Sequence, residues 1–325
     1  MLLLLAIVVA GCRATDPSTA TTERASEEAP EDPSISPPAA EPPEKQDSGA
    51  SGRGFSAGPI DHFSTKRAMR HVRRLARDIG VRLRATEGER RAARYVAARF
   101  EALGYRVHVQ RFDVDAGRSR NVVAWWPGAK DHAMVVGGHL DSVEGAPGAN
   151  DNASGVAAIL EVARLVAGRP PARLTRFVAF GSEEYGSNGL HHVGSAVFVN
   201  RLGNEGRRRL AGMLSVDMIA DGRPLYVGNS DIADDVVAKD LLRTLGERRV
   251  DVEYRVMCDC SDHGPFELAG IPAAFMWSGE EPDYHSPGDT VVNMKPDDLG
   301  RTGRALRAYV KSFTPALMRR YRRAR

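Results

Sequence analysis

The chain has 325 residues, 42% hydrophobic and 27% charged, and its 45 Lys and Arg against 42 Asp and Glu leave a formal charge of only +3. Its basicity gathers in local runs such as Arg207-Arg208-Arg209 and RRYRRAR (319–325). Because no organised basic face interleaved with aromatics appears, a nucleic-acid partner is excluded from the expected functions.

The N-terminal stretch MLLLLAIVVA (1–10) is an apolar run ending at Gly11-Cys12. It is shorter than the roughly 20 residues a bilayer span needs, so it reads as a signal h-region. VAGC (9–12) resembles a bacterial lipoprotein cleavage box, in which Cys12 would be diacylated and become the mature N-terminus, although no Lys or Arg precedes the run. Membrane lipid is then an expected partner through Cys12, on the extracytoplasmic side of a bacterial cell envelope. The other reading is an ordinary secretory peptide and a secreted protein. Residues 13–54 are Pro, Ala, Ser, Thr and Glu with almost nothing to bury; such a segment cannot recover its ordering entropy and reads as a flexible tether. The expected organisation is a signal peptide (1–11), a lipidated N-terminus with its tether (12–56), one large domain (57–320) and a basic tail (321–325).

Within the large domain, Ala68, Met69, Val72, Leu75, Ala76 and Ile79 recur at helical spacing. Thr86 and Glu89 form a candidate capping box ahead of the helical series Ala93, Val96, Ala97, Phe100 and Leu103. Tyr105, Val107 and Val109 then alternate as in a strand, followed by the runs NVVAWW (121–126) and Met134-Val135-Val136. GANDNASG (148–155) leads into the helical pattern Val156, Ile159, Leu160, Ala163 and Val166, with Gly155 permitting close passage and Ser154 as a candidate cap. RFVAF (176–180), MLSVDMI (213–219) and IPAAFM (271–276) read as strands, and Val236–Leu245 and Leu299–Phe313 as helices. This alternation predicts a three-layer α/β/α sandwich with a central mixed, mostly parallel sheet.

The residues with metal-binding chemistry fall at the ends of these strands. His139 and Asp141 follow MVVGG, Glu183 and Glu184 follow RFVAFGS, Asp217 ends LSV, and His285 lies beyond IPAAFMW; Asp151 sits in the loop before a helix. In open α/β sheets the crevice lies beyond the carboxyl ends of strands, so groups far apart in sequence converge there. Imidazole and carboxylate donors suit zinc, and five such ligands plus a spare carboxylate are enough for two cations and a base.

GGHLDS (137–142), ANDNASG (149–155), SEE (182–184), SVDM (215–218), SDHGPF (261–266) and YHSPGDT (284–290) together resemble the zinc aminopeptidases and carboxypeptidases of peptidase family M28. With TEGER (86–90) and its flanking helices, the resemblance covers essentially everything after the tether. It implies two Zn2+ per chain, one held by His139 and Asp217, the other by Glu184 and His285, with Asp151 bridging them and a cis peptide after it. It implies that Glu183 is the general base for an attacking water. Asp141, two residues after His139, is expected to accept the other imidazole N–H and fix the ring as a ligand.

The expected activity is therefore that of a metal-dependent exopeptidase, an aminopeptidase first, acting on a peptide substrate. A carboxypeptidase, a glutaminyl-cyclase-like enzyme and a non-catalytic peptide-binding lipoprotein are the alternatives. His263 is expected in the pocket wall. EEYGSNGLHHVGS (183–195) is several residues longer than the usual family pattern, so His191 and His192 are expected on an exposed, non-catalytic rim loop. Met218 reads as packing, Tyr254 and Tyr284 as pocket walls, and Trp277, Ser278, Glu280, Glu281 and Asp283 as an acidic approach to His285. His62, His71 and His132 call for no chemistry. Cys258 and Cys260 are either two free thiols or a C-x-C disulfide, which an exported compartment permits.

Overall fold

The computed structural model describes residues 62–129, 133–279 and 282–325. The expected signal peptide, Cys12 and tether, together with His132, Glu280 and Glu281, lie outside the described residues.

The first apolar series forms α1 (Thr65–Val72), with Ala68, Met69 and Val72 buried and Ser64 Oγ capping Arg67 N. It continues through a π-helical turn, Arg73–Ile79, and stops at Gly80, where φ is 82°. Helix α2 spans Glu87–Ala102. The expected capping box is not formed. Thr86 Oγ1 donates to Leu83 O at 2.6 Å, while the buried Glu89 carboxylate accepts from Ala85 N and from Ser119 Oγ. A buried carboxylate must be satisfied by the donors nearest it, and here one of those comes from an adjoining strand.

The chain then makes a hairpin of β1 (Arg106–Val114) and β2 (Gly117–Trp125), closed by the two-residue turn Asp115-Ala116. There follow β3 (Met134–His139), α3 (Ala153–Val166), β4 (Thr175–Phe180), α4 (Val193–Arg201), α5 (Gly203–Arg209) and β5 (Gly212–Val216). The rest runs β6 (Leu225–Asn229), α6 (Val236–Gly246), β7 (Val252–Val256), α7 (Gly264–Leu268), β8 (Ala273–Trp277), α8 (Pro296–Lys311) and α9 (Pro315–Arg323).

Among the described residues the sheet has eight strands in the order β1-β2-β4-β3-β5-β8-β6-β7. Its centre, β4-β3-β5-β8, is parallel, while β2 and β6 run antiparallel to it. Every residue of β3 and of β5 is buried, as expected of parallel strands covered on both faces. Successive side chains alternate between faces. Met134 and Val136 accordingly join a large core under α1, α2, α3, α6 and α8, whereas Val135, Val178, Phe180 and Met213 join a smaller one with Phe198 of α4 and Phe266 of α7. The result is the three-layer α/β/α sandwich with a mixed sheet. After β3, the chain places β4 on one side of it and β5 on the other. That reversal opens the crevice beside the carboxyl end of β3.

Of the basic tail expected at 321–325, residues 321–323 are instead the end of a docked helix. Met318 and Tyr321 of α9 are fully buried, and Tyr321 Oη donates to Asp240 Oδ2 at 2.5 Å. One aromatic and one thioether at helical spacing hold the helix down, and its arginines occupy the outer face.

Candidate metal centre

Close backbone packing brings the site together. A Cβ on Gly155 would lie 2.0 Å from Val216 O, and one on Gly138 would lie 2.8 Å from the same oxygen. Without side chains, these two residues let the start of α3 press against the ends of β3 and β5. Asn152 completes the junction by donating Nδ2 to Val216 O at 2.9 Å and capping α3 through Oδ1, which accepts from Gly155 N. Ser154 is not the cap: it donates to Asn150 O and accepts from Ile219 N, tying the loop after β5 to the loop before α3. Asp151-Asn152 is a cis peptide. Asp289 holds the same loop from the other side, its two oxygens accepting from Asn150 N at 2.7 Å and Asp151 N at 3.1 Å.

The five expected ligands converge. His139 Nε2 lies 3.0 Å from Asp151 Oδ1 and 3.4 Å from Asp217 Oδ1, and His285 Nε2 lies 3.1 Å from Asp151 Oδ2 and 3.2 Å from Glu184 Oε2. Asp151 thus gives one oxygen to each group. Two ligand atoms about 2.0–2.1 Å from a shared tetrahedral zinc stand roughly 3.3 Å apart, which is the scale of these separations. His139 Nε2 and Asp217 Oδ1 are buried and have no hydrogen-bond partner. Buried polar atoms are ordinarily paired, so two unpaired donor atoms facing one point fit a cation between them. Trios His139-Asp151-Asp217 and Asp151-Glu184-His285 share Asp151, which is the donor set of a two-zinc centre.

Charge crowding marks the same place. Burial pushes the Glu183 carboxyl well above its usual range, opposed by His139 and reinforced by Glu184, Asp262 and Asp217. Burial and Asp151 lift Glu184 to about 7. Against its own burial, His285 is raised to about 10 by Asp151 and Glu184. So many carboxylates in one buried crevice call for positive charge, which two divalent ions supply.

A model of peptidase family M28 matches residues 121–310, more than half of the chain. The chain belongs to peptidase family M28. It is 32% identical over 252 residues to "Leupeptin-inactivating enzyme 1" of Streptomyces exfoliatus, covering 70% of this chain and 56% of that protein. It is 30% identical over 223 residues to "Probable lipoprotein aminopeptidase LpqL" of Mycobacterium tuberculosis, covering 57% of this chain and 44% of that one. The chain therefore spans about half the length of these curated relatives. The crystal structure of BSAP, a zinc aminopeptidase from Bacillus subtilis, superposes with a TM-score of 0.70 at 20% identity, covering 76% of this chain and 94% of that one.

Around this M28 centre, three expectations need correction. The Asp141 carboxylate is not the partner of the His139 ring. His139 Nδ1 meets the backbone oxygen of Asp141 at 3.1 Å, with the nearest carboxylate oxygen at 3.8 Å. The carboxylate instead accepts from Glu183 N and Glu184 N, because the chain turns between residues 139 and 141 and aims it at the turn after β4. His192 does not sit on an exposed rim. It is 6% exposed, with Nε2 at 3.0 Å from Glu183 Oε1, because the loop after Glu184 returns to run beside Ser182 and Glu183. Tyr254 bonds Asn229 at 2.9 Å and is not among the residues lining the crevice.

The crevice encloses about 490 Å3 and its walls include Met218, Phe275, Trp277, Tyr284 and the bonded pair Cys258–Cys260. His263 supports this wall from behind, stacked on Phe275 with centroids 5.0 Å apart and bonded to Cys258 O at 3.0 Å. Arg82, which none of the sequence motifs includes, is a buried clamp. It donates to Leu140 O, Pro147 O and Gly148 O, fixing the loop that carries Asp151. Among the described residues no helix is long and apolar enough to cross a membrane.

Proposed function

We propose that this chain is a zinc-dependent exopeptidase, foremost an aminopeptidase that removes N-terminal residues from peptides. The observation that carries the reading is the division of Asp151, one carboxylate oxygen toward His139 and Asp217 and the other toward Glu184 and His285, with Glu183 beside them. Cations held by those five side chains would polarise a peptide carbonyl and acidify water. Glu183 takes the proton of the attacking water at Oε2, the oxygen that faces the cluster 3.9 Å from His139 Nε2, and returns it to the leaving amine. Asp141 keeps the consecutive glutamates in place through their amides. The carboxylate-rich crevice favours a free α-ammonium group, and LpqL and BSAP are both named as aminopeptidases.

A carboxypeptidase reading has one observation behind it, since Arg255 lines the crevice. Its guanidinium, however, stacks over Tyr226 at 3.7 Å and donates to Tyr226 Oη, so it is already engaged. Mass-spectrometric timing of products from zinc-loaded protein with a peptide library, including N-blocked and C-blocked members, separates the readings. Aminopeptidase action requires cleavage of C-blocked and not of N-blocked peptides; the reverse, or cyclisation of N-terminal glutamine, overturns it. Glu183→Gln should lose at least about 10²-fold in kcat with two zinc ions retained.

VAGC (9–12) and the name of LpqL support export and a lipid anchor at Cys12. Cys12→Ala should then move the protein out of the membrane fraction, and an unchanged distribution would remove the anchor from the reading.

A further inference from the structure

The segment between the consecutive glutamates and α4 closes on itself. Val193 N donates to Ser182 O at 2.9 Å and His192 N donates to Glu183 O at 2.7 Å, so the two ends of the loop run side by side. Inside it, Gly186 N donates to Leu190 O at 2.9 Å. A buried arginine, Arg84, straps the loop by donating to Leu190 O at 2.9 Å and to Glu184 O at 3.3 Å. The same guanidinium pairs with Asp115 at 3.2 Å, and Asp115 in turn accepts from Ser187 Oγ and Asn188 N. Gly186 lies so tightly on the strap that a Cβ there would be 2.1 Å from Arg84 Nη1. The loop is therefore a built device, and of its residues that line the crevice, Tyr185, His191 and His192, the last is the one that reaches Glu183.

His192 adopts a left-handed backbone conformation, φ 51°, at the start of α4. Its Nε2 lies 3.0 Å from Glu183 Oε1 and 3.0 Å from Nδ1 of the neighbouring His191. Glu183 Oε2 is left facing His139. A glutamate side chain has several rotors, and here it stands among Glu184, Asp217 and Asp262, each of which repels it when ionised. A general base works only from a well-defined position, and a misplacement of 1 Å costs on the order of 10²-fold in rate. Resting on the reading of Glu183 as the base, we propose that His192 is a positioning residue, whose Nε2–H donates to Glu183 Oε1 and so reserves Oε2 for the proton of the attacking water. His192 touches neither the expected ligands nor the reacting atoms in this arrangement; it acts through Glu183.

The test compares full-length zinc-loaded wild type with His192→Ala, His192→Gln, Glu183→Gln and the Glu183→Gln/His192→Ala double variant. His192→Ala should lower kcat about 10- to 10²-fold with KM changed less than about threefold and two zinc ions retained. His192→Gln, whose amide also donates to a carboxylate, should recover part of the loss, and His192→Ala should add nothing in the Glu183→Gln background. Independently of turnover, the imidazole 15N shifts of His192 in metal-free protein should move when Glu183 becomes Gln. Wild-type kcat in both His192 variants, loss of zinc with loss of activity, an additive double variant, or unmoved 15N shifts would each overturn the role of His192. Full activity of Glu183→Gln would instead overturn the base itself, so the two failures are told apart.

Discussion

Asp141 accepts from two consecutive amides, Glu183 N on Oδ1 at 3.0 Å and Glu184 N on Oδ2 at 3.1 Å. Both oxygens are needed, so the isosteric Asp141→Asn must turn an NH2 toward one of the two N–H groups. Leaving a buried donor unpaired costs about 1–3 kcal/mol, and the turn that aims both glutamates would shift. Supporting groups of this kind are worth 10–100-fold in metal affinity. Asp141→Asn should lose about that factor in zinc affinity by chelator competition, together with turnover. Unchanged values for both would show that the glutamate pair holds its place without Asp141.

Why the sequence led to the wrong partner for Asp141 is instructive about what was legible. The strand runs Met134–Val136, RFVAF, LSV and IPAAFM are largely apolar because both faces of the central sheet are covered, and a ligand follows each run in the chain. Periodicity therefore located the sheet and the crevice. What it missed depends on contacts between distant residues. Asp141 follows His139 by two positions, yet its carboxylate is used 42 residues away. His192 is brought in by a strap from Arg84. Strands β6 and β7 are five residues each, and β7 is largely exposed, so they give little alternation to read. Helix α9 buries just Met318 and Tyr321 among its arginines, too thin a stripe to tell from a tail.

Gly155 is where α3 meets the end of β5. The atoms a Cβ would strike are Val216 O at 2.0 Å and Asn152 Oδ1 at 2.4 Å, backbone and cap, and neither is the free end of a flexible side chain. In Gly155→Ala the start of α3 must withdraw, carrying Asp151 away from Asp217. The expected result is destabilisation of about 3 kcal/mol or more and fewer than two zinc ions per chain. Gly246→Ala is the control, because nothing lies within 4 Å of that Cβ; its effect should be within about 1 kcal/mol. Equal effects of the two substitutions, by urea unfolding and metal analysis, would remove packing at Gly155 as the cause.

Away from the centre, His71 makes stability depend on pH. Burial lowers its folded pKa to about 4, against the pull of Glu161 and with Arg99 and Arg70 adding to it, and Nδ1 meets Tyr95 Oη at 2.6 Å. Unfolded, the ring titrates near about 6.5, so between roughly pH 6.5 and 4 the unfolded chain binds more protons. The contribution is whole above the unfolded pKa and is lost as pH falls through the window. Allowing for the partial exposure of the ring, the loss is on the order of 1–2 kcal/mol. In metal-free protein, His71→Gln should shrink the fall in Tm between pH 6.5 and 4 by about 2–6 °C. Parallel Tm profiles for the two proteins would refute the assignment.

Tyr321 pins the last helix to the domain. Its hydroxyl donates to Asp240 Oδ2 at 2.5 Å and lies 2.9 Å from Tyr309 Oη, joining α9, α6 and α8 in one buried cluster. Arg243 and Arg320 pair with Asp240 Oδ1, each at 2.8 Å, so Tyr321→Phe keeps the ion pairs and the ring packing while leaving Oδ2 and the Tyr309 hydroxyl short of a partner. A buried hydrogen bond removed from one side costs about 1–3 kcal/mol. Because the loss is local to the docking of α9, amide exchange in 315–323 should rise more than in α3. A change in global stability with no difference between the two helices would instead place the hydroxyl's contribution in the core between α6 and α8.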